Sequence, residues 1–141
     1  MSILQRDIPG ARVLDLFSGS GALGLECLSR GAVSAAFVEK DPRTIKVLSQ
    51  NIETLGAGAV AVIHRADAAR YAESLGAKAF DIAVADPPYA TDEAEKLATL
   101  WLRTPFASIL SIEHDSHVKL PEAQDTRRYG SSSITFYRSE A

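Results

Sequence analysis

Between Arg12 and Glu26 a short apolar run, RVLDLF, ends in a glycine-rich loop that opens directly onto a segment of helical spacing. The run Arg12–Phe17 is bounded by Pro9-Gly10 and Ser18-Gly19 and reads as a buried strand. Ala22–Arg30 reads as a helix stopped by Gly31. A strand followed by a helix is the unit of a mostly parallel sheet covered on both faces. The same alternation then repeats. Ser34–Glu39 is a second buried strand. Pro42–Leu55 is a helix with Asp41 as N-cap, Pro42 in its first position and Gly56 beyond its end. Ala59–His64 is a third strand, Ala66–Ser74 a short helix, Phe80–Ala85 a fourth strand, Asp92–Leu102 a helix and Phe106–Glu113 a fifth strand. Two closing strands, Thr126–Tyr129 and Ser133–Arg138, flank a turn at Gly130 and read as a hairpin, so one late strand runs antiparallel. The expected architecture is α/β: a mostly parallel, seven-stranded sheet with helices on both faces.

Residues 1–141 suit one domain, large enough to bury a core without staples. The single cysteine, Cys27, allows no internal disulfide and sits at a core position of a helix. No apolar run approaches a membrane span, and Met1–Asp7 lacks the pattern of a signal peptide. A cytoplasmic protein is expected. The net charge is −3, with Arg127-Arg128 the one tight basic pair. That weighs against strong, autonomous gripping of nucleic acid. It leaves room for a nucleic-acid substrate held by a few contacts.

In parallel sheets ligands bind beyond the carboxyl ends of the strands. Asp15 to Gly21 follow the first strand, Glu39 the second, Asp67 the third and Asp86 to Tyr89 the fourth. Gly19-Ser20-Gly21-Ala22-Leu23-Gly24 matches the dinucleotide fingerprint, with Glu39 about 20 residues on where a ribose-binding carboxylate belongs. Asp15 argues against a dinucleotide, because a carboxylate there repels a pyrophosphate. It would attract the cationic amino-acid end of S-adenosylmethionine. Glu39 could then accept from ribose hydroxyls and Asp67 from an adenine amino group. Each has a plainer alternative: Asp15 capping the following turn, Glu39 a solvated strand end, Asp67 the N-cap of the next helix.

Asp86-Pro87-Pro88-Tyr89 ends a buried strand in a turn that two prolines stiffen. The carboxylate can point into the cleft at low entropic cost, and Tyr89 offers a face for a base to stack on. An aromatic amine is a poor nucleophile because its lone pair is delocalised. A carboxylate accepting its N–H bonds, with the Pro87 carbonyl sharing the role, favours the nucleophilic form. His114 and His117 flank Asp115, but no third and fourth ligand are evident, so no metal is expected and a surface or loop role is assigned to them. Trp101 falls at a core position. Arg127 and Arg128 could touch phosphate or simply face solvent.

Taken together, Val13–Glu26, Leu28–Gly31, Val38–Asp41, Asp86–Tyr89, Ile112–Asp115, Arg128–Gly130 and Phe136-Tyr137-Arg138 resemble the bacterial 16S rRNA guanine-N2 methyltransferases. The resemblance covers nearly the whole chain. It implies a Rossmann-like class I methyltransferase fold and transfer of a methyl group from S-adenosylmethionine to the N2 amino group of a guanine in small-subunit rRNA. It implies that Asp86 is the catalytic carboxylate, in a turn with Pro87 and Pro88, and that Tyr89 is the stacking ring. Asp15, Gly19 and Gly21 would line the methionine end of the cofactor, Glu39 the ribose, and Asp67 with Ala68 the adenine. Phe17, Ser18, Ser20, Lys40 and Asp86 complete the implied cofactor set. Family members usually carry an N-terminal segment that closes the cofactor site and contacts RNA. Ser2-Ile3-Leu4-Gln5 resembles the tail of its helix, so weakened binding of cofactor and of rRNA or the small subunit is expected. Other readings stay open: methylation of adenine N6, cytosine N4 or a protein glutamine, whose enzymes more often have Asn at the place of Asp86; an NAD-dependent oxidoreductase; or a non-catalytic relative.

Overall fold

The computed structural model describes residues 4–139. Its elements in chain order are β1 (Arg12–Leu16), α1 (Ala22–Ser29), β2 (Ser34–Glu39), α2 (Pro42–Thr54), β3 (Ala61–Arg65), α3 (Ala68–Glu73), β4 (Phe80–Ala85), α4 (Glu93–Arg103), β5 (Ala107–Asp115), β6 (Asp125–Tyr129) and β7 (Ser132–Arg138). They form one seven-stranded sheet in the order β3-β2-β1-β4-β5-β7-β6. The first five strands are mutually parallel, and β7 runs antiparallel to both its neighbours. The expected α/β architecture with one late reversed strand is what the chain adopts.

Where boundaries moved, a local hydrogen bond explains the shift. The third strand begins at Ala61 rather than Ala59, because Val60 N–H is turned back onto the Ala57 carbonyl. The third helix begins at Ala68 because Asp67 caps it, accepting from Arg70 N–H at 3.1 Å. The fifth strand runs on to Asp115 because β7 pairs with it as far as Ser132. Of the expected helix tail at Ser2–Gln5, Ser2 and Ile3 lie outside the described residues. Leu4 and Gln5 enter a turn whose Leu4 carbonyl accepts from Asp7 and Ile8 N–H.

The alternation of side chains along each strand splits the core in two. On one face Val13, Phe37, Ile82 and Val84 pack with Leu25 and Cys27 of α1, Leu48 and Ile52 of α2, and Leu4 and Ile8. On the other, Leu14, Leu16, Val38, Leu110 and Ile112 pack with Ala68 and Ala72 of α3 and Leu97 and Trp101 of α4. Trp101 is core as expected, and its indole N–H donates to the Ala107 carbonyl at 2.9 Å. His114 departs from expectation. It is a buried strand residue, with its ring bonded to Thr135 Oγ1 at 2.7 Å and the Asp115 carbonyl at 2.9 Å. Only His117 is exposed.

Gly24, the last glycine of the fingerprint, lets α1 lie against the sheet. A Cβ there would stand 2.4 Å from the Phe37 ring and 3.0 Å from Asp15 Oδ2. Gly24→Ala should therefore lower stability by about 1–3 kcal/mol, the cost of overpacking, despite alanine's better helix propensity. Urea unfolding checks this, and a stabilised variant would contradict it.

Candidate functional site

The loop after β1 is built from left-handed backbone. Phe17, Gly19 and Gly21 have φ of 57°, 56° and 86°. Glycine takes such values freely. Phe17 does not, so packing must hold it there. Three of the loop's N–H groups are already engaged. Ser18 donates to the Val38 carbonyl, Gly21 to the Ser18 carbonyl, and Gly19 to Glu39 Oε1 at 3.0 Å. Ser18 Oγ donates to the Asp15 carbonyl at 2.6 Å, and the Ser20 carbonyl accepts from Asn51 Nδ2 at 2.9 Å. Glu39 Oε2 also takes the N–H groups of Lys40 and Asp41, both at 3.0 Å. Glu39 is thus no idle strand end: it ties the end of β2 to the glycine loop.

Asp15 lies beneath this loop and is 1% exposed. Its Oδ2 accepts from Gly24 N–H at 3.0 Å, inside α1. Burial pushes its carboxyl up to about 8, against the Gly24 bond that favours the charged form, and Asp86 and Glu39 add to the rise. Asp15 therefore caps the following helix from below rather than lining the cleft.

The cleft opens at the carboxyl edge, where the strand order reverses between β1 and β4. A cavity of about 310 Å³ is lined by Phe17, Val38, Glu39, Lys40, Ala66, Ala68, Asp86, Pro88, Thr91 and Glu93. That is at the lower end of the range for small-molecule sites. Of the expected cofactor residues, Phe17, Glu39, Lys40, Ala68 and Asp86 face it together. Ser18, Gly19, Ser20 and Gly21 shape the loop beside it, and Asp67 holds the start of α3. Thr91 and Glu93 were not foreseen. Thr91 Oγ1 donates to the Pro88 carbonyl at 2.8 Å and so ties the Asp-Pro-Pro turn to the start of α4. Glu93 Oε2 is buried without a hydrogen-bond partner, an unmet acceptor that a ligand N–H or O–H would satisfy. The acidic pair Asp92-Glu93 at a helix start was the available signal, but it reads equally as helix capping.

Three carboxylates and one lysine on this lining favour a ligand of positive charge. S-adenosylmethionine fits that donor set: two hydroxyls and an amino group to donate, and a sulfonium and ammonium to neutralise the acids. Asp86 is exposed toward the cleft, and partial burial holds its carboxyl above the usual range. Tyr89 turns the other way. Its hydroxyl meets Ser132 Oγ and lies 3.5 Å from Glu113 Oε2, leaving its ring 40% exposed. Arg127 and Arg128 are exposed on β6; Arg127 pairs with Asp125 at 3.0 Å, and Arg128 donates to the Gly130 carbonyl.

A parallel sheet with a reversed strand before its last edge, and an acidic cleft at the switch point, define a class I methyltransferase fold. The same fold is seen in "Putative methyltransferase yhhF from Escherichia coli" (TM-score 0.84, 28% identity, 99% of this chain and 81% of that one). It is also seen in an RNA methyltransferase from Salinibacter ruber solved with S-adenosyl-L-homocysteine (TM-score 0.74, 12% identity, 97% and 87%). The chain belongs to the family described as Conserved hypothetical protein 95, which matches residues 1–138, and its relatives there are named as rRNA methyltransferases. It is 35% identical to "Putative rRNA methyltransferase YlbH" of Bacillus subtilis, over 92% of this chain and 76% of that protein. It is 30% identical to Ribosomal RNA small subunit methyltransferase D of Haemophilus influenzae, over 89% and 68%. Alignments with the Buchnera aphidicola and Escherichia coli proteins of that name span 44% and 40% of their lengths.

The raised Asp15 carboxyl has a consequence for stability. The fold favours its protonated form, so native protein binds more protons than unfolded chain between the ordinary aspartate range and about pH 8. Stability should fall as pH rises through that window and level off above it. Asp15→Asn should flatten the decline between pH 5 and 8 in urea titrations; parallel profiles would contradict the assignment.

Proposed function

We propose that residues 1–141 form one S-adenosylmethionine-dependent domain that methylates the exocyclic N2 amino group of a guanine in small-subunit (16S) rRNA. The observation that carries this reading is the Asp86-Pro87-Pro88-Tyr89 turn, whose carboxylate faces an acidic cleft at the sheet's switch point. The names of the relatives support rRNA as the substrate, and the small-subunit name supports the 16S molecule. An rRNA substrate puts the protein in the cytoplasm.

The loop's hydrogen bonds favour the sulfonium cofactor over NAD. A pyrophosphate needs free N–H groups at the glycine turn. Here Gly19 N–H is spent on Glu39 and Gly21 N–H on the Ser18 carbonyl. A phosphate would meet the Glu39 carboxylate instead of an open cradle.

When bound, S-adenosylmethionine supplies a methyl group on a sulfonium, already activated and leaving a neutral thioether, so the reaction needs no metal. Glu39 and Lys40 would hold the ribose side of the cleft and Asp67 with Ala68 the adenine side, with Glu93 on the same lining. Asp86 accepts an N–H of the amino group, pulls its lone pair out of conjugation and stabilises the positive charge that grows on nitrogen. The proton then leaves through the same carboxylate. The exposed Tyr89 ring stacks on the base, which must be out of any duplex to reach the turn.

Calorimetry should detect S-adenosylmethionine binding. Asp86→Ala should cut methyl transfer to 30S subunits or 16S rRNA by about 10²–10³-fold or more, a far larger loss than any weakening of S-adenosylmethionine binding. Because Asp86 titrates above the usual carboxylate range, the rate should rise with pH through that raised range and then plateau. Binding of NAD without binding of S-adenosylmethionine would overturn the reading.

A further inference from the structure

The parallel register that sets Ala85 opposite Ile112 brings the next residues, Asp86 and Glu113, side by side at the carboxyl edge. Both continue the face that carries Val84 and Ile109. Glu113 is half-buried, and burial first, then the Asp86 charge, holds its carboxyl above the usual range, against the Tyr89 hydroxyl. None of the ion pairs among the described residues includes it. Its hydrogen-bond contact is the Tyr89 hydroxyl, at a long 3.5 Å. Two neighbouring carboxylates without a cation between them are costly to keep. The cost is recovered when a ligand brings two adjacent donors.

The amino-bearing groups that such a turn could methylate differ on this point. Guanine presents its N2 amino group beside N1–H, two donors in a row. Adenine presents the N6 amino group beside the N1 lone pair, and cytosine the N4 amino group beside the N3 lone pair. A glutamine amide sets its nitrogen beside a carbonyl oxygen. In each of the last three, the second carboxylate would face a lone pair and repel it.

We propose that Glu113 is a specificity-determining residue that accepts the N1–H of the target guanine while Asp86 accepts from its N2 amino group. Tyr89 then acts in a second way. Its hydroxyl, held by Ser132 of β7, steadies Glu113 on the side away from the cofactor. This assignment rests on the reading of the Asp86 turn as an amino-methylating site and adds the choice of base to it.

The test compares guanine with 2-aminopurine, which keeps the 2-amino group but has no proton on N1. RNA fragments carrying either base at the methylated position are supplied with S-adenosylmethionine and the wild-type, Glu113→Ala or Glu113→Gln protein. The wild-type protein should prefer guanine by about 100-fold or more in kcat/KM, as expected where a buried acceptor loses its donor. Glu113→Ala should lower guanine transfer far more than 2-aminopurine transfer, shrinking the preference by about tenfold or more. Glu113→Gln, whose carbonyl still accepts, should keep more of it. Guanine transfer with an unchanged preference in Glu113→Ala, or equal losses on both bases, would overturn this assignment alone. A wild-type protein that methylates adenine or cytosine but no guanine would overturn it together with the proposed function.

Discussion

β1 is hydrogen-bonded on both sides, to β2 and to β4 in parallel register, and the rest of the carboxyl edge depends on that double pairing. Asp15 stands opposite Phe37 on one neighbour and Val84 on the other. The loop leaving β1 must therefore open between the ends of β2 and β4, with Glu39 on one side and Asp86 on the other. The chain reverses its strand order here, so no crossover helix fills the gap. A cleft forms at this place because of topology, before any side chain is chosen for chemistry.

The side chains then serve twice. Glu39 clamps Gly19, Lys40 and Asp41 N–H groups, Asp67 caps α3 and Asp15 anchors α1 from below. These are the plain roles that carboxylates fill at strand and helix ends. They also preorganise the proposed cofactor site, because each acid is held in place by backbone donors before a ligand arrives. Such fixed dipoles and charges need no reorganisation during reaction. The unmet acceptor at Glu93 and the raised carboxyls of Asp86 and Glu113 mark where the free protein remains uncompensated.

Much of this was legible in the chain itself. Strand and helix order followed from periodicity and punctuation: Pro42 and Gly56 frame α2, and Asp86-Pro87 ends β4, all through local steric rules. The sequence places Asp15 where it would repel phosphate in the cleft, but the structure buries it against Gly24 N–H, and the proposed preference for a sulfonium cofactor rests instead on Glu39 accepting from Gly19 N–H. What could not be read was non-local. Glu113 meets Asp86 only through the β4–β5 register, which no spacing along the chain encodes. His114 is buried because β7 returns beside β5 and supplies Thr135. Phe17 adopts a positive φ under tertiary packing that its residue type argues against.

The central claim is that the Asp86 turn directs a methyl group onto guanine N2. The most direct measurement is to incubate the protein with isotope-labelled S-adenosylmethionine and unmethylated 30S subunits, digest the rRNA to nucleosides and identify the labelled one by mass spectrometry. Label in N2-methylguanosine is the predicted result. Label in N6-methyladenosine or N4-methylcytidine, or in ribosomal protein rather than RNA, would contradict it.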